Sequence, residues 1–235
     1  MNPSNLLKNL KNTTLSTKTV YFHPLNPSTD DGITHPLFAE GVYIKPTTYL
    51  DYIKQDSYSH YRCPAWKSWA KNTFVFYAQF DATYRLHEDR LIIDSDVNIF
   101  KEFMGDSDVV GDTLVQQFGP MVLLWTEHRD IWMEQIRLDR EIIPAHFPLG
   151  KWVRPILTPF VSKMDETVDI KRGDALWCVR FSGAGENYRL ECAEPKSEVI
   201  RHARQNTMLK DYLPGVSWSL ANDEKRCPFK NLWGS

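Results

Sequence analysis

The sequence has few cysteines and no long apolar run. Four cysteines occur in 235 residues, and no two of them have the spacing of a metal knuckle, so we expect reduced thiols without disulfides. No apolar stretch approaches the length of a transmembrane helix, and residues 1–18 lack the apolar core of a secretory signal. These absences predict a protein that is neither secreted nor membrane-spanning.

An excess of charge of one sign is also missing. Twenty-eight basic and thirty acidic residues give a formal net charge of −2, so no general field attracts nucleic acid or an anionic membrane. A local nucleic-acid surface that contains Tyr61, Arg62, Lys67 and Lys71 remains an alternative. The charge balance disfavours it.

Common catalytic motifs are missing from the sequence as well. It contains no phosphate-binding loop, nucleophile elbow or zinc-protease helix. Gly183 and Gly185 lack the third glycine of a dinucleotide-binding fingerprint. The corresponding enzyme classes are therefore disfavoured.

One arrangement of residues is compatible with an enzyme. His87 and Asp89, followed at a distance by His146, have the order of a two-histidine, one-carboxylate iron site on a double-stranded β-helix. Arg154 follows eight residues after His146 and could pair with a carboxylate of 2-oxoglutarate. The chain contains a second His-x-Asp pair, at His128, and chance alone produces roughly one such pair in a chain of this composition. An Fe(II)- and 2-oxoglutarate-dependent oxygenase is therefore the alternative hypothesis.

What the sequence does contain is aromatic and apolar residues in alternating runs. Hydrophobic residues make up 42% of the chain and aromatic residues 13%, enough to fill the core of a domain. Alternation and turn residues predict strands at 19–22, 73–80, 121–126, 132–138 and 152–160, and hairpins at 82–93 and 175–192. Residues 106–119 are predicted to be a loop.

These elements predict a mainly β fold of the α+β class. We expect an antiparallel β-sandwich or jelly-roll-like barrel with one or two decorating helices. Residues 1–18 are predicted to form a flexible arm and residues 19–235 a single β-rich domain. Within that domain we expect a helix at 198–212 and an extended tail at 216–235.

The segment from Pro144 to Trp152 predicts an ordered loop. Pro144 and Pro148 exclude a helix or a central strand. Phe147, Leu149 and Trp152 are too apolar to be left in water, so we expect them to be buried. If Trp152 is fully buried, Trp152→Ala should destabilise the fold by about 3–5 kcal/mol. If it is an exposed contact residue, the melting temperature should not change.

Two groups of motifs resemble a known family. They are Ile143-Pro144-Ala145-x-Phe147-x-x-Gly150-Lys151-Trp152-x-Arg154-Pro155, then Lys171-x-Gly173-Asp174-x-Leu176 with Val179-x-Phe181, and upstream Arg62-Cys63-Pro64-Ala65 with Lys71-Asn72-Thr73-Phe74. Over roughly residues 60–192 they resemble an uncharacterised protein family encoded by T4-like marine bacteriophages. The resemblance implies a phage origin, and with it a location in the virion or the host cytoplasm. It brings no activity and no catalytic residues.

The leading hypothesis is a non-catalytic, virion-associated or accessory protein that binds a phage or host protein. Its predicted contact residues are tryptophans, because Trp and Tyr carry much of the energy of buried interfaces. They are Trp66, Trp69, Trp132 and Trp152. A homo-oligomer is left open, and neither a membrane nor a nucleic acid is the expected partner.

Tyrosines also crowd the segment from Tyr49 to Tyr61. Tyr52 and Tyr58 lie between them, and the segment has little periodicity. Two interpretations are open: aromatic packing over a sheet edge, or a stacking surface for a ligand.

Overall fold

The computed structural model describes a chain of strands with three helices in the described residues. The described residues are 16–25, 43–53, 63–87, 90–94, 107–110, 113–117, 121–138, 142, 144–156, 159–163, 165–183 and 187–212. The helices are α1 (Tyr49–Ile53), α2 (Pro64–Lys71) and α3 (Ser197–Tyr212).

The strands make the protein mainly β, as the sequence predicts. In chain order they are β1 (Thr17–Leu25), β2 (Thr47–Thr48), β3 (Thr73–Tyr77), β4 (Ala82–His87), β5 (Arg90–Asp94), β6 (Ser107–Val110), β7 (Thr113–Gln117), β8 (Met121–Trp125), β9 (Trp132–Ile136), β10 (His146–Phe147), β11 (Arg154–Ile156), β12 (Pro159–Lys163), β13 (Thr167–Ile170), β14 (Ala175–Ser182) and β15 (Asn187–Cys192). Within the described ranges, no helix is long and apolar enough to cross a membrane.

Four sheets are formed by these strands. A four-stranded sheet has the order β11-β8-β1-β15, and a five-stranded sheet has the order β10-β9-β14-β3-β2. The three-stranded sheets have the orders β12-β7-β6 and β13-β4-β5. Among the described strands, β1 and β15 run parallel, and the remaining pairs are antiparallel.

The main core lies between the four-stranded and five-stranded sheets. Phe22 of β1 and Phe76 of β3 meet edge to face across it, with ring centroids 6.4 Å apart. Phe181 of β14 and Tyr188 of β15 also meet across it, with centroids 6.0 Å apart and ring planes inclined by 50°. All four rings are buried in one cluster, and burying a Phe side chain contributes about 1.5–3 kcal/mol. The fold is therefore a β-sandwich of the predicted α+β class.

A second, smaller apolar layer covers the outer face of the four-stranded sheet. Ala203 of α3 packs on Leu123 and Trp125 of β8, and all three side chains are buried. The Asn206 side chain donates a hydrogen bond to the Val153 carbonyl oxygen at 2.7 Å. The predicted helix at 198–212 is confirmed, and it decorates one face of the sandwich.

The predicted hairpin at 175–192 is wrong in its pairing, although both strands exist. β14 pairs with β3 and β9, so neither of its edges is left for β15, which pairs with β1 in the other sheet. Asn72 holds the two strands at the point where the chain crosses between sheets. Its carbonyl oxygen accepts from the Phe181 N–H at 3.0 Å, and its side-chain oxygen accepts from the Tyr188 N–H at 3.1 Å.

Two further predictions fail for local reasons. The predicted loop at 106–119 contains the antiparallel pair β6 and β7, in which Val109 lies opposite Leu114. The sequence signal was the Gly111-Asp112 dipeptide between two short β-branched runs. The predicted strand at 152–160 is two strands, since β11 pairs with β8 and β12 pairs with β7.

Other predicted elements agree with the structure. The strands predicted at 19–22, 73–80, 121–126 and 132–138 correspond to β1, β3, β8 and β9, and the hairpin at 82–93 corresponds to β4 and β5. Most of the predicted arm, residues 1–15, and the whole predicted tail, 216–235, lie outside the described residues. β1 begins at Thr17, within the range assigned to the arm.

The loop from Pro144 to Trp152 is packed as predicted. Leu149 is 0% exposed and Phe147 is 7% exposed. The loop also lies against the backbone of the turn before β9, because the Gly150 N–H donates to the Ile131 carbonyl oxygen at 3.2 Å. Trp152 is half-buried and packs edge to face on Phe147, with centroids 6.2 Å apart. It is thus neither the fully buried anchor nor the exposed contact residue that the sequence left open.

Candidate functional site

Two short helices stand beside the outer strand β2 of the five-stranded sheet. α1 follows β2 directly, and the Thr48 hydroxyl accepts a hydrogen bond from the Asp51 N–H at 3.1 Å, which caps the helix. α2 starts with Pro64 at its first position, where a missing N–H has no cost. It ends at Lys71, and β3 begins two residues later. Neither helix was predicted from the sequence.

Aromatic side chains from the two helices and from β3 form a tyrosine-tryptophan cluster. It consists of Tyr49, Tyr52, Trp69 and Tyr77. Tyr49 lies 5.2 Å from Trp69 and 5.8 Å from Tyr52, measured between ring centroids. Tyr52 lies 6.5 Å from Tyr77. The rings are inclined to one another by 53° to 76°, so the cluster presents ring faces and edges together.

Hydrogen bonds fix the base of this cluster to the sheet. The Tyr77 hydroxyl shares a hydrogen bond with the Thr47 hydroxyl of β2. The Thr73 hydroxyl donates to the Trp69 carbonyl oxygen at 2.8 Å, which ties the end of α2 to β3. Tyr52, by contrast, is 36% exposed. Among the large hydrophobic side chains in the described part of the chain, it is the one that is exposed. The cluster combines a rigid base with an aromatic tip in solvent.

The four predicted contact tryptophans lie in three parts of the fold. Trp66 and Trp69 are on α2, and both are half-buried. Trp132 is on β9, where its ring lies 5.0 Å from the imidazole of His146. Trp152 packs on the 144–152 loop. Only Trp69, of the four, has a ring contact in the tyrosine-tryptophan cluster among the contacts described.

The residues of the alternative iron site are only partly described. His87 ends β4, while Asp89 lies outside the described residues. His146 is exposed on β10. In the part of the chain that the structure describes, no group of three or more His, Cys, Asp or Glu side chains could hold a metal ion. Since this part leaves out Asp89, the iron site remains a prediction.

Arg154, the predicted partner of 2-oxoglutarate, lies on the edge strand β11. Its guanidinium carbon lies 5.6 Å from the centre of the Trp152 ring. This is a cation–π arrangement, which contributes about 0.5–1 kcal/mol at exposed sites. Arg154 therefore packs on Trp152. Its binding of a cosubstrate carboxylate stays a prediction.

Three of the cysteines are described, and all three carry free thiols. Cys63 precedes α2 and is exposed, and hydrogen bonds from the N–H groups of Trp66 and Ala65 lower the pKa of its thiol. Burial raises the pKa of Cys178 to about 12. Burial also raises the pKa of Cys192. Cys63 is thus the thiol most readily ionised among these three.

Comparison with protein-family models, with curated proteins and with solved structures found no match. The resemblance of residues 60–192 to a phage family therefore stays a prediction from sequence.

Proposed function

We propose that this protein is a non-catalytic binding protein that contacts a protein partner through the tyrosine-tryptophan cluster and the adjacent Trp66. The observation that carries the proposal is the exposure of Tyr52 within a group of aromatic rings in mutual contact. Tyr and Trp side chains supply large contact area at a small cost in side-chain entropy. They are enriched among the residues that contribute most to interfaces.

The fixed base of the cluster supports this use. The Tyr77 hydroxyl is hydrogen-bonded to Thr47, and the Trp69 backbone is hydrogen-bonded to Thr73. Because the elements that carry these rings are held in place, the cluster needs little further ordering when a partner binds. β2, the outer strand beside them, has only two residues, which offers few backbone groups for pairing with a strand from a partner. Side chains are therefore the recognition elements of this surface.

Local charge indicates the chemistry of the partner. Lys67 and Lys71 are the charged residues of α2. Asp51, the charged residue of α1, exchanges hydrogen bonds with Thr48. The surface beside the rings is therefore basic. A partner with acidic side chains around an apolar centre would complement it.

The phage resemblance supports the setting of the proposal. It favours a phage protein that acts in the virion or as an accessory factor in the host cytoplasm, with a phage or host protein as partner. The sequence contains none of the common catalytic motifs, and a surface of contact residues needs none.

The test is a partner search that depends on the surface. Wild type, Tyr52→Ala, Trp69→Ala and Trp132→Ala would be used as bait with virions and with extracts of infected cells. We expect one partner to be retained by wild type and by Trp132→Ala and to be lost from the two cluster variants. Retention by all four proteins would contradict the proposal, as would the lack of any partner from virions and extracts.

Two readouts complete this test. Melting temperatures must show that the cluster variants are folded, because loss of binding by an unfolded bait says nothing about a surface. Measurement of molar mass in solution distinguishes a second copy of the chain as the occupant. Self-association that Tyr52→Ala abolishes would assign the surface to a homo-oligomer and would overturn the proposal of a different protein as partner.

A further inference from the structure

A second group of side chains lies on the face of the five-stranded sheet that points away from the core. Met133 of β9 points inward and is 0% exposed, so its neighbours Trp132 and Glu134 point outward. Glu134 lies opposite Arg180 of β14 on one side and opposite His146 of β10 on the other. Trp132 lies opposite Ser182. We call these five outward residues the Trp132 patch.

The side chains of the Trp132 patch contact one another. The rings of Trp132 and His146 have centroids 5.0 Å apart and are inclined by 37°. Nε of Arg180 lies 3.5 Å from Oε2 of Glu134. The Arg180 side chain is 36% exposed and the Glu134 side chain 42% exposed. An aromatic pair and an ion pair therefore lie side by side, and both are accessible to a ligand.

The charges of this patch balance. Arg180 and Glu134 carry opposite charges and are neighbours. Asp130, two residues before Trp132, accepts a hydrogen bond from the Lys18 ammonium group at 2.7 Å. An anionic ligand would meet the Glu134 carboxylate and a cationic ligand would meet the Arg180 guanidinium. A neutral ligand with many hydroxyl groups meets neither penalty.

We propose that the Trp132 patch binds a neutral saccharide. The apolar face of a sugar ring would pack on Trp132, whose large ring favours contact with apolar C–H groups. A sugar hydroxyl is both donor and acceptor, so it can donate to the Glu134 carboxylate and accept from an N–H of Arg180. Hydrogen bonds to ionised partners are the stronger ones. The Ser182 hydroxyl and the His146 imidazole add further polar groups to the patch.

This site is distinct from the tyrosine-tryptophan cluster. Trp132 and His146 lie on β9 and β10, at one side of the five-stranded sheet, while α1 stands beside β2 at the other side. The two sites can therefore be removed separately. A protein that binds a protein partner through the tyrosine-tryptophan cluster and a saccharide through the Trp132 patch would link that partner to the saccharide.

The test is retardation of the purified chain in native gels that contain hydroxyethylcellulose, laminarin, xylan or mannan, with heparin as a charged comparison. We expect at least one neutral polysaccharide to retard wild type. Trp132→Ala should weaken this retardation by at least about tenfold, as expected when a central contact residue is removed. Trp69→Ala should be retarded as wild type is, because its change lies in the other site.

Several outcomes would overturn the proposal. They are a lack of retardation by all four neutral polysaccharides, retardation by heparin alone, and equal retardation of Trp132→Ala and wild type. Trp132→Phe keeps a flat ring and should keep part of the binding. If Trp132→Ala melts early, Glu134→Gln replaces it as the decisive variant. It removes the charge that balances Arg180 without a change of size, and unchanged binding by this variant would also overturn the proposal.

Discussion

The loop from Pro144 to Trp152 and the tyrosine-tryptophan cluster have similar apolar side chains but differ in solvent exposure. In the loop, Leu149 is 0% exposed and Phe147 7% exposed. In the cluster, Tyr52 is 36% exposed. Neither segment belongs to a long regular element. Aromatic content alone therefore does not distinguish buried core from exposed surface.

Position relative to the sheets makes the difference. Phe147 lies on β10 opposite Met133, whose side chain points into the core, and Leu149, two residues later, is buried in the same core. The helices of the cluster stand beside β2, at the opposite outer strand of the same sheet. The 144–152 loop packs into the core, whereas the tyrosine-tryptophan cluster lies beside the outer strand. The predictions on the loop and on Tyr52 test this contrast directly.

The largest effect is expected for Gly150→Ala. A Cβ atom added at Gly150 would lie 2.7 Å from the Cα of Arg129, and backbone cannot move away as a flexible side chain can. We expect a loss of about 3 kcal/mol or more in the free energy of unfolding. Urea or thermal unfolding measures it.

Gly173→Ala is the matched control for that prediction. Gly173 has φ of 93°, but the nearest atom to an added Cβ is 4.0 Å away. Only conformational strain is introduced there, so we expect a loss of about 1 kcal/mol. Equal losses at the two glycines would show that the close approach of the loop is unimportant.

A smaller loss is expected for Trp152→Ala. Trp152 is half-buried against Phe147 and carries the Arg154 guanidinium on its ring. We expect about 1–3 kcal/mol, below the range for a fully buried aromatic residue. Phe147→Ala should cost more, about 3–5 kcal/mol. A melting temperature unchanged by Trp152→Ala would mean that the loop does not need this side chain.

Tyr52→Ala should change stability little and binding strongly. The exposed Tyr52 ring contacts its neighbours at the edge of the fold, so we expect a change of about 0.5 kcal/mol or less. The partner found with wild type should be lost. A loss of stability as large as that of Trp152→Ala would place Tyr52 with the packed loop and remove the contrast.

The smallest effect is a difference in reactivity between two thiols of the native protein. Cys63 should react first with a thiol reagent near neutral pH, because it is exposed and its pKa is lowered by two backbone N–H groups. Cys178 is buried and has a pKa of about 12, so it should react only after unfolding. Mass mapping of the labelled residues measures both. Early labelling of Cys178 would show that the sheet opens readily.

The sequence predicted the strands better than their partners. The apolar runs at 73–80 and 175–181 follow from burial, which is a local property of each strand. Partner choice depends on which edges are free in the assembled sheet. The pairing of β15 with β1 therefore could not be read from the glycines at 183 and 185, which pointed to a hairpin.

The candidate site was predicted in part. Trp69 was selected by residue type, but its grouping with Tyr49 and Tyr77 depends on β2 pairing with β3, which brings α1 beside α2. A signal for α2 was present in Pro64, a residue favoured at the first position of a helix. Prediction of the outward neighbours Glu134 and Arg180 would have required the register of three strands. No local sequence pattern contains that information.

The parallel pair of β1 and β15 has a consequence for synthesis. Thr19 and Arg189 are joined by a hydrogen bond although 170 residues separate them. At about 5–20 residues per second, β15 leaves the ribosome roughly ten to thirty seconds after β1. Until then β1 presents an uncovered edge with the apolar residues Val20 and Phe22, a template for pairing with other nascent chains. Faster translation, or a chaperone that holds this edge, should therefore raise the yield of folded protein.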